Sequence, residues 1–269
     1  MDITQAVAIV TGSSSVTGVG SETAKLLASK GARVVVNYVS NKAGGEETAE
    51  ACLKLGGEAV AVKGNIANQE DCKRLVRTAI DTWGRLDILV NNAATTKPIK
   101  HTDFETLDVA EWERVLRVNL IGNYLMTTAA APHLKAAGDA AIVNISSTGA
   151  FQAAGSSIAY CASKAGINNM TDAFARILAP EVRVNTLCPG GILGNKWTRD
   201  ILTVEGYRKR VENSKTKYPL ARATYPVDVA EAVLWLITGA RTMTGECIRM
   251  DAGQHLLPGV PRAEALGTR

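Results

Sequence analysis

The sequence predicts an α/β fold built on a doubly wound parallel sheet. Short apolar runs rich in β-branched residues alternate with longer segments of helical periodicity. The runs do not alternate between apolar and polar positions, which is typical of strands covered by helices on both faces, and right-handed crossovers then wind the sheet in both directions. We therefore expect about seven strands, at residues 6–11, 33–38, 58–63, 86–91, 140–146, 182–188 and 246–251.

Segments between the strands carry helix signals. SETAKLLASKG ends at Gly31 and DCKRLVRTAIDTWG ends at Gly84, and each is an apolar-periodic run closed by a glycine. The least regular stretch is 190–225, which follows a CPGG turn and mixes Lys, Arg and Trp without a strand signal. We expect a single domain over residues 1–269, with a mobile lid around 190–225.

Composition excludes several classes of function. The 269 residues have a net charge of +4 with no long basic run, so the sequence lacks the footprint of a nucleic-acid binder. Five cysteines without CxxC spacing and three scattered histidines favour neither disulfides nor a metal site, and they suit a reducing compartment. The sequence shows no signal-peptide pattern and no apolar run approaching about 18 residues. We therefore expect a soluble, cytoplasmic protein without a membrane partner or a metal.

A glycine-rich turn follows the first predicted strand. In TGSSSVTGVG, Gly12, Gly18 and Gly20 lie just before a helix that begins at Ser21. Glycines there let backbone N–H groups approach a pyrophosphate, and the helix N-terminus adds a favourable dipole. A turn between strand and helix also uses glycine for backbone reasons alone. The position after the first strand favours nucleotide binding over a structural turn.

A tyrosine and a lysine four residues apart are the strongest chemical signal. Tyr160 and Lys164 share one helix face, so an ammonium can lie near a phenol and favour its charged form. The ordinary phenol pKa of about 10 would then move toward the range useful for general acid/base catalysis. Ser147, thirteen residues upstream of the tyrosine, could hold a substrate oxygen. The alternative is a surface pair in which the lysine stem packs on the ring.

Further motifs appear in a fixed order. The fourth strand ends in NNAA, where small residues leave room for a ligand or the asparagines cap the sheet edge. Asn119 lies inside a helical pattern, and VNTLCPGG follows YxxxK. Taken together, the chain from Val7 to about Leu256 resembles the short-chain dehydrogenase/reductase family in its compact single-domain branch, which has a Rossmann-type fold.

The resemblance implies a four-residue catalytic set. Tyr160 would exchange a proton with the substrate oxygen during hydride transfer, and Ser147 would hold that oxygen. Lys164 would lower the tyrosine pKa and hydrogen-bond the nicotinamide ribose, while Asn119 would hold a water that relays protons to the lysine. Ser146, which strand alternation points to the opposite face from Ser147, is assigned a structural role.

The resemblance also implies a dinucleotide cofactor. Five residues, 13–17, separate Gly12 from Gly18, a two-residue insertion in the family's loop. Residues 36–42 at the end of the second strand contain no acid, which favours NADP(H), although Val39 and Thr17 stand where many relatives carry a basic residue, so NAD(H) use stays open. The cofactor-binding residues expected are Gly12, Ser14, Ser15, Thr17, Gly18, Val19, Asn37, Tyr38, Ser40, Asn65, Ile66, Asn92, Ala93, Tyr160, Lys164, Pro189, Gly190 and Ile192.

The substrate is less well specified. Acyl-carrier-protein reductases of this family tend to carry basic residues near two helix ends, where this chain has Asp139 and Glu181. We therefore rank a small-molecule carbonyl or alcohol above a 3-oxoacyl thioester. Trp197 contributes to an apolar pocket or anchors the lid. The expected pocket residues are Ala94, Thr95, Ser147, Gly149, Phe151, Tyr160, Gly191, Leu193 and Trp197.

Two other classes of protein with a related fold or motif are a non-catalytic regulator and a sugar epimerase or dehydratase. A regulator could keep this fold and bind a nucleotide without turnover, but the four catalytic positions favour an enzyme. A sugar epimerase or dehydratase shares YxxxK but needs a longer C-terminal region than this chain has after Ala240. The resemblance implies a homotetramer formed through the helices that hold Asn119 and Tyr160.

Overall fold

A computed structural model describes residues 1–257. All seven predicted strands form, with no end shifted by more than two residues: β1 Val7–Val10, β2 Arg33–Tyr38, β3 Glu58–Lys63, β4 Ile88–Asn91, β5 Ala140–Ile145, β6 Val182–Pro189 and β7 Cys247–Met250. They pair in parallel in the order β3-β2-β1-β4-β5-β6-β7. The order reverses between β1 and β4, and in such a sheet a ligand binds at the carboxyl ends beside that reversal.

Ten α-helices connect the strands in the described part of the chain. They are α1 Val19–Ser29, α2 Lys42–Lys54, α3 Gln69–Trp83, α4 Val109–Leu116, α5 Gly122–Ala137, α6 Gly149–Gln152, α7 Ile158–Leu178, α8 Lys196–Ile201, α9 Val204–Thr216 and α10 Pro226–Thr238. A short π-helical segment, Arg117–Ile121, joins α4 to α5. Gly84 ends α3 in a left-handed conformation, as its position in the sequence predicts.

The sheet is buried on both faces. Ala8 and Val10 of β1 pack in one apolar cluster with α1 and α10, while Val7 and Ile9 pack in the other with α3, α5 and α7. All four side chains are fully buried. Successive side chains of a strand point to opposite faces, so a strand between two helical layers is apolar at every position.

The stretch 190–225 is more regular than the sequence predicts. It contains α8 and α9, whose first turns are capped by Asn195 and Thr203: the Asn195 Oδ1 accepts from the Thr198 N–H at 2.7 Å, and the Thr203 hydroxyl accepts from the Gly206 N–H at 3.0 Å. An isolated parallel bridge joins Ile192 to Thr224 and closes the segment at its base. Within residues 1–257, no helix combines the length and apolarity needed to cross a bilayer.

Candidate active site

The glycine loop forms a cradle at the carboxyl end of β1. Gly12 has a positive φ of 64°, and a Cβ at this residue would lie 2.7 Å from the Ala93 Cα. A Cβ at Gly20 would lie 2.5 Å from the Asn92 Nδ2. Asn92 donates from this nitrogen to the carbonyls of Thr11 and Gly12, at 2.9 and 3.0 Å. The two glycines are therefore needed for this close approach between the loop and the end of β4.

The inserted residues of the loop dock against the start of α2. The Asn41 Nδ2 donates to the Ser14 carbonyl at 2.7 Å, and its Oδ1 accepts from the Gly44 N–H at 3.1 Å. A Cβ at Gly44 would lie 2.1 Å from the Ser14 oxygen. The lengthened loop can therefore pack against the start of α2 because Asn41 hydrogen-bonds to it and because residue 44 has no side chain.

Three predicted cofactor residues do not line the cleft. Asn37 is fully buried, and its Oδ1 accepts from the Gly12 N–H at 3.1 Å while its Nδ2 donates to the Gly64 carbonyl at 2.8 Å. Tyr38 is buried behind the strand end, and Thr17 is exposed outside the cleft. Asn37 instead braces the glycine loop through its side-chain amide, and direct contacts of these three residues with a cofactor stay predictions.

The remaining predicted cofactor residues all line one cleft of about 1160 Å³. They come from the glycine loop, the ends of β2, β3, β4 and β6, and α7. They are Gly12, Ser14, Ser15, Gly18, Val19, Ser40, Asn65, Ile66, Asn92, Ala93, Tyr160, Lys164, Pro189, Gly190 and Ile192.

Ser147, Tyr160 and Lys164 lie together in this cleft. The Ser157 hydroxyl accepts from the Tyr160 N–H at 3.2 Å and so begins α7 one turn before the catalytic positions. The Ser147 Oγ accepts from the Gly149 N–H at 3.1 Å. The Ser146 hydroxyl instead donates to the Lys164 carbonyl at 3.1 Å and is buried. Ser147 is therefore the serine whose hydroxyl is placed beside the tyrosine.

Burial controls the ionisation of both titratable groups. It raises the pKa of Tyr160 to about 12, and a hydrogen bond with Ser147 lowers that pKa in part. It also lowers the pKa of Lys164 to about 8. The sequence predicts a lowered tyrosine pKa, whereas here it rises, because both groups are removed from water and the Lys164 Nζ lies 5.6 Å from the ring centroid, donating to the Ile145 carbonyl at 2.8 Å.

Asn119 lies behind the cleft wall instead of lining it. It is buried within the π-helical segment, and its amide clamps Thr95: Oδ1 accepts from the Thr95 N–H at 2.7 Å, and Nδ2 donates to the Thr95 carbonyl at 3.0 Å. The same Nδ2 donates to the Ser163 hydroxyl at 3.0 Å. The side chain thus joins the pocket wall to α7, and both its polar atoms are engaged within the protein. The role of Asn119 in holding a water stays a prediction.

The substrate end of the cleft contains six of the nine predicted pocket residues, namely Ala94, Thr95, Ser147, Tyr160, Gly191 and Trp197. The Trp197 ring centroid lies 6.5 Å from that of Tyr160, and the ring planes make an angle of 45°. Trp197 is also 37% exposed, so it forms a wall beside the catalytic tyrosine and does not anchor the lid in the core.

Three predicted pocket residues do not line the cleft. Gly149 is buried, where it donates its N–H to Ser147. Phe151 points to the surface, where the Arg249 guanidinium lies 4.3 Å from its ring centroid. Leu193 is 1% exposed and belongs to the protein interior. Phe151 and Leu193 were assigned to the pocket because they are apolar, but an apolar side chain can equally lie on the surface or in the core.

Several lining residues were not predicted. They come from the loop after β4, from the turn before α7, from α8, α9 and the link between them, and from the turn after β7: Pro98, Ile99, Lys100, Ser156, Ile201, Leu202, Arg210 and Gln254. The sequence predicted a lid around residues 190–225, but it did not indicate which side chains of that segment would line the cleft. No aspartate or glutamate lines the cleft in the described part of the chain. Within residues 1–257, no cluster of three His, Cys, Asp or Glu side chains could hold a metal ion.

One cleft combines the glycine cradle at the carboxyl end of β1 with Tyr160 and Lys164 of α7. This combination is typical of a dinucleotide-dependent oxidoreductase. A family model described as Enoyl-(Acyl carrier protein) reductase matches residues 12–255. The chain belongs to the short-chain dehydrogenase/reductase family and is an NAD(P)-dependent enzyme.

Relatives of known name cover nearly the whole chain. The "Granaticin polyketide synthase putative ketoacyl reductase 2" of Streptomyces violaceoruber is 40% identical over 251 residues, which are 93% of this chain and 96% of that protein. The cis-4-hydroxycyclohexanecarboxylate dehydrogenase of Sinomonas cyclohexanicum is 36% identical, covering 92% and 95%. A solved structure of levodione reductase superposes with a TM-score of 0.86 at 26% identity, covering 94% and 98%.

Proposed function

We propose that this enzyme interconverts a ketone and a secondary alcohol of a small molecule, with NADP(H) as its preferred cofactor and Tyr160 as general acid/base. The observation that carries the proposal is the placement of Ser147, Tyr160 and Lys164 in the same cleft as the glycine cradle. A nicotinamide cofactor supplies the hydride when bound. The site fits such a group, because Gly12, Gly18 and Gly20 line the cleft at the start of α1, where backbone N–H groups can approach a pyrophosphate.

Each catalytic side chain has a distinct task in reduction. Tyr160 is neutral at pH 7, since its pKa is raised to about 12, and it therefore carries a proton to donate to the carbonyl oxygen. Ser147, whose hydroxyl lies beside the tyrosine, would donate its single proton to the same oxygen, in place of a hydrogen bond with Tyr160, and so orient that oxygen. Lys164 is anchored on the Ile145 carbonyl and is largely protonated at pH 7, so its charge favours the phenolate left after proton transfer.

Cofactor choice depends on the end of β2. Val39 and Ser40 line the cleft there, and no acid among the described lining residues would repel a 2′-phosphate. Asn41 is occupied by the glycine loop, and Lys42 pairs with the exposed Glu46 at 3.4 Å. The site therefore admits the extra phosphate without a dedicated arginine, which supports NADP(H) as preferred cofactor with some use of NAD(H).

A second candidate function is reduction of a 3-oxoacyl thioester. It is favoured by the name of the relative at 40% identity. Two carboxylates argue against a carrier-bound substrate, because they would repel an acidic carrier: the exposed Asp139 after α5 and the half-buried Glu181 after α7. Asp139 lies 3.4 Å from the N-terminal ammonium, and Glu181 lies 3.8 Å from the Lys135 Nζ, so both charges are only partly offset.

We also propose a homotetramer formed through α4, α5 and α7. Large apolar side chains are exposed on these helices, including Val109 at 71%, Tyr124 at 49% and Ile177 at 65%. A surface of this kind is typical of an interface. Light scattering on the purified protein should give the mass of four chains, and a monomeric mass would contradict the assembly.

A substrate screen with both cofactors tests the proposed function. Cyclic ketones, open-chain ketones, their alcohols and a soluble 3-oxoacyl thioester are offered with NADPH and with NADH, and the change in nicotinamide absorbance is measured. We expect turnover of small ketones with a higher kcat/KM for NADPH. Preference for the thioester by tenfold or more would establish the second candidate, and no turnover of any compound would favour a non-catalytic nucleotide-binding regulator.

A further inference from the structure

Arg210 of α9 reaches the substrate end of the cleft from the lid. Its Nη1, Cζ and Cδ atoms lie 2.8, 3.2 and 3.3 Å from the place that a Cβ of Gly191 would occupy. Gly191 follows β6 and lines the same cleft as Trp197, the wall beside Tyr160. The arginine side chain therefore rests on a backbone surface that exists only because residue 191 is glycine.

The guanidinium of Arg210 is half-buried and has no partner within residues 1–257. No hydrogen bond or ion pair of this group occurs in that part of the chain, although other arginines are well engaged. Arg183, for example, donates to the carbonyls of Leu236, Ile237 and Ala240. A cation that is partly removed from water without a partner is unfavourable, which is typical of a group kept for a ligand.

The side chains that line the cavities beside Arg210 include further positive charges and no negative one. The cleft also contains Lys100 and Lys164, and no acid among its described lining residues offsets them. A second cavity, of about 300 Å³, shares Arg210 with the cleft and adds Lys209 and Lys217. An anion at this end of the cleft would therefore meet attraction from several sides, and a guanidinium offers two parallel donors to a carboxylate.

We propose that Arg210 binds a carboxylate on the substrate, away from the reacting carbonyl, so that the enzyme selects keto acids and hydroxy acids over their neutral analogues. This inference rests on the proposed ketone reduction at Tyr160. Arg210 is then a specificity-determining residue carried by the lid. Gln254, which lines both cavities, offers an amide beside it.

A matched pair of substrates and a matched pair of variants test the proposal. 4-Oxocyclohexanecarboxylate and its methyl ester are reduced by the wild type, by Arg210→Met and by Arg208→Met, an exposed arginine on the same helix that does not line the cleft. We expect kcat/KM for the acid to fall about 10- to 100-fold in Arg210→Met, as for loss of a charged hydrogen-bonded pair. The ester and the Arg208→Met variant should change by less than threefold.

Two binding measurements separate this inference from the function on which it rests. If Arg210 bound a cofactor phosphate instead, Arg210→Met would weaken NADPH binding in a fluorescence titration and would slow acid and ester equally, and that result would overturn the proposal. Calorimetry with cyclohexanecarboxylate on the NADP⁺-loaded protein needs no turnover. Binding that Arg210→Met abolishes would support the carboxylate site even if no ketone were reduced, and binding that is absent or unaffected would refute it.

Discussion

Asn119→Leu removes an amide while keeping a side chain of similar size. The structure gives this amide three hydrogen bonds, two to the backbone of Thr95 and one to the Ser163 hydroxyl. Ser163 keeps a second bond, since its hydroxyl donates to the Tyr160 carbonyl at 2.7 Å. The substitution therefore leaves the N–H and the carbonyl of Thr95 without partners, and it disconnects the pocket wall from α7.

The cost can be worked from those two groups. A buried backbone group left unsatisfied costs about 1–3 kcal/mol. Thr95 is only half-buried, so water compensates in part, and we expect the free energy of unfolding to fall by about 2–4 kcal/mol. For a chain of this size, each 1 kcal/mol lowers the Tm by about 2–4 °C. The melting temperature should therefore drop by about 5–15 °C.

Differential scanning calorimetry measures the shift, with Asn169→Leu as the control. Asn169 is exposed on α7 and has no side-chain hydrogen bond among residues 1–257, so its replacement should change stability by about 0.5 kcal/mol or less. Activity of Asn119→Leu should fall as well, because Thr95 lines the cleft. If Asn119→Leu melts within 1 °C of the control, the amide does not act as the clamp described.

Three further outcomes follow from the same geometry. Ser147→Ala should lower kcat for ketone reduction by about 10²- to 10³-fold, as for loss of one donor to the reacting oxygen, whereas Ser146→Ala should cost less than tenfold; equal losses would contradict the assignment. The pKa of Lys164 is lowered in the folded state to about 8 from 10.5, so burial of its charge destabilises the protein at neutral pH and this penalty disappears as the pH rises from about 8 to 10. Lys164→Met in the cofactor-free protein should therefore gain stability over wild type at pH 7, by an amount that shrinks toward pH 10 in urea titrations; a constant difference would contradict the shift. Gly44→Ala, whose Cβ would lie 2.1 Å from a loop oxygen, should weaken NADPH binding at least about tenfold in a fluorescence titration, and unchanged affinity would show that the loop tolerates displacement.

Much of the fold could be predicted because a strand that is buried on both faces is apolar at nearly every position, and this pattern is visible in a short stretch of sequence. In β2, RVVVNY reads as a strand covered on both faces, and five of its six residues are buried. The helices α8 and α9 were not predicted from the sequence. Their N-cap residues, Asn195 and Thr203, are common capping residues, but the charged residues that follow them show no clear apolar periodicity. Helices of this kind depend on tertiary packing more than on local periodicity.

The site could be predicted where residues act through their own chemistry. Tyr160 and Lys164 were indicated by spacing and by the order of the motifs around them. Asn37 was placed in the cofactor site, yet its amide braces the glycine loop, since sequence does not show which way a polar side chain at a strand end will turn. Arg210 could not be identified as a lining residue, because its position depends on the packing of α9 over Gly191.

The most direct test of the central claim is Tyr160→Phe, which removes only the phenolic oxygen. The variant is compared with wild type by single-turnover reduction of a ketone substrate from the screen, and NADPH binding is measured by fluorescence in parallel. We expect the reduction rate to fall by about 10²- to 10⁴-fold while the NADPH affinity stays within about threefold. A variant that retains more than a tenth of the wild-type rate would show that another group supplies the proton.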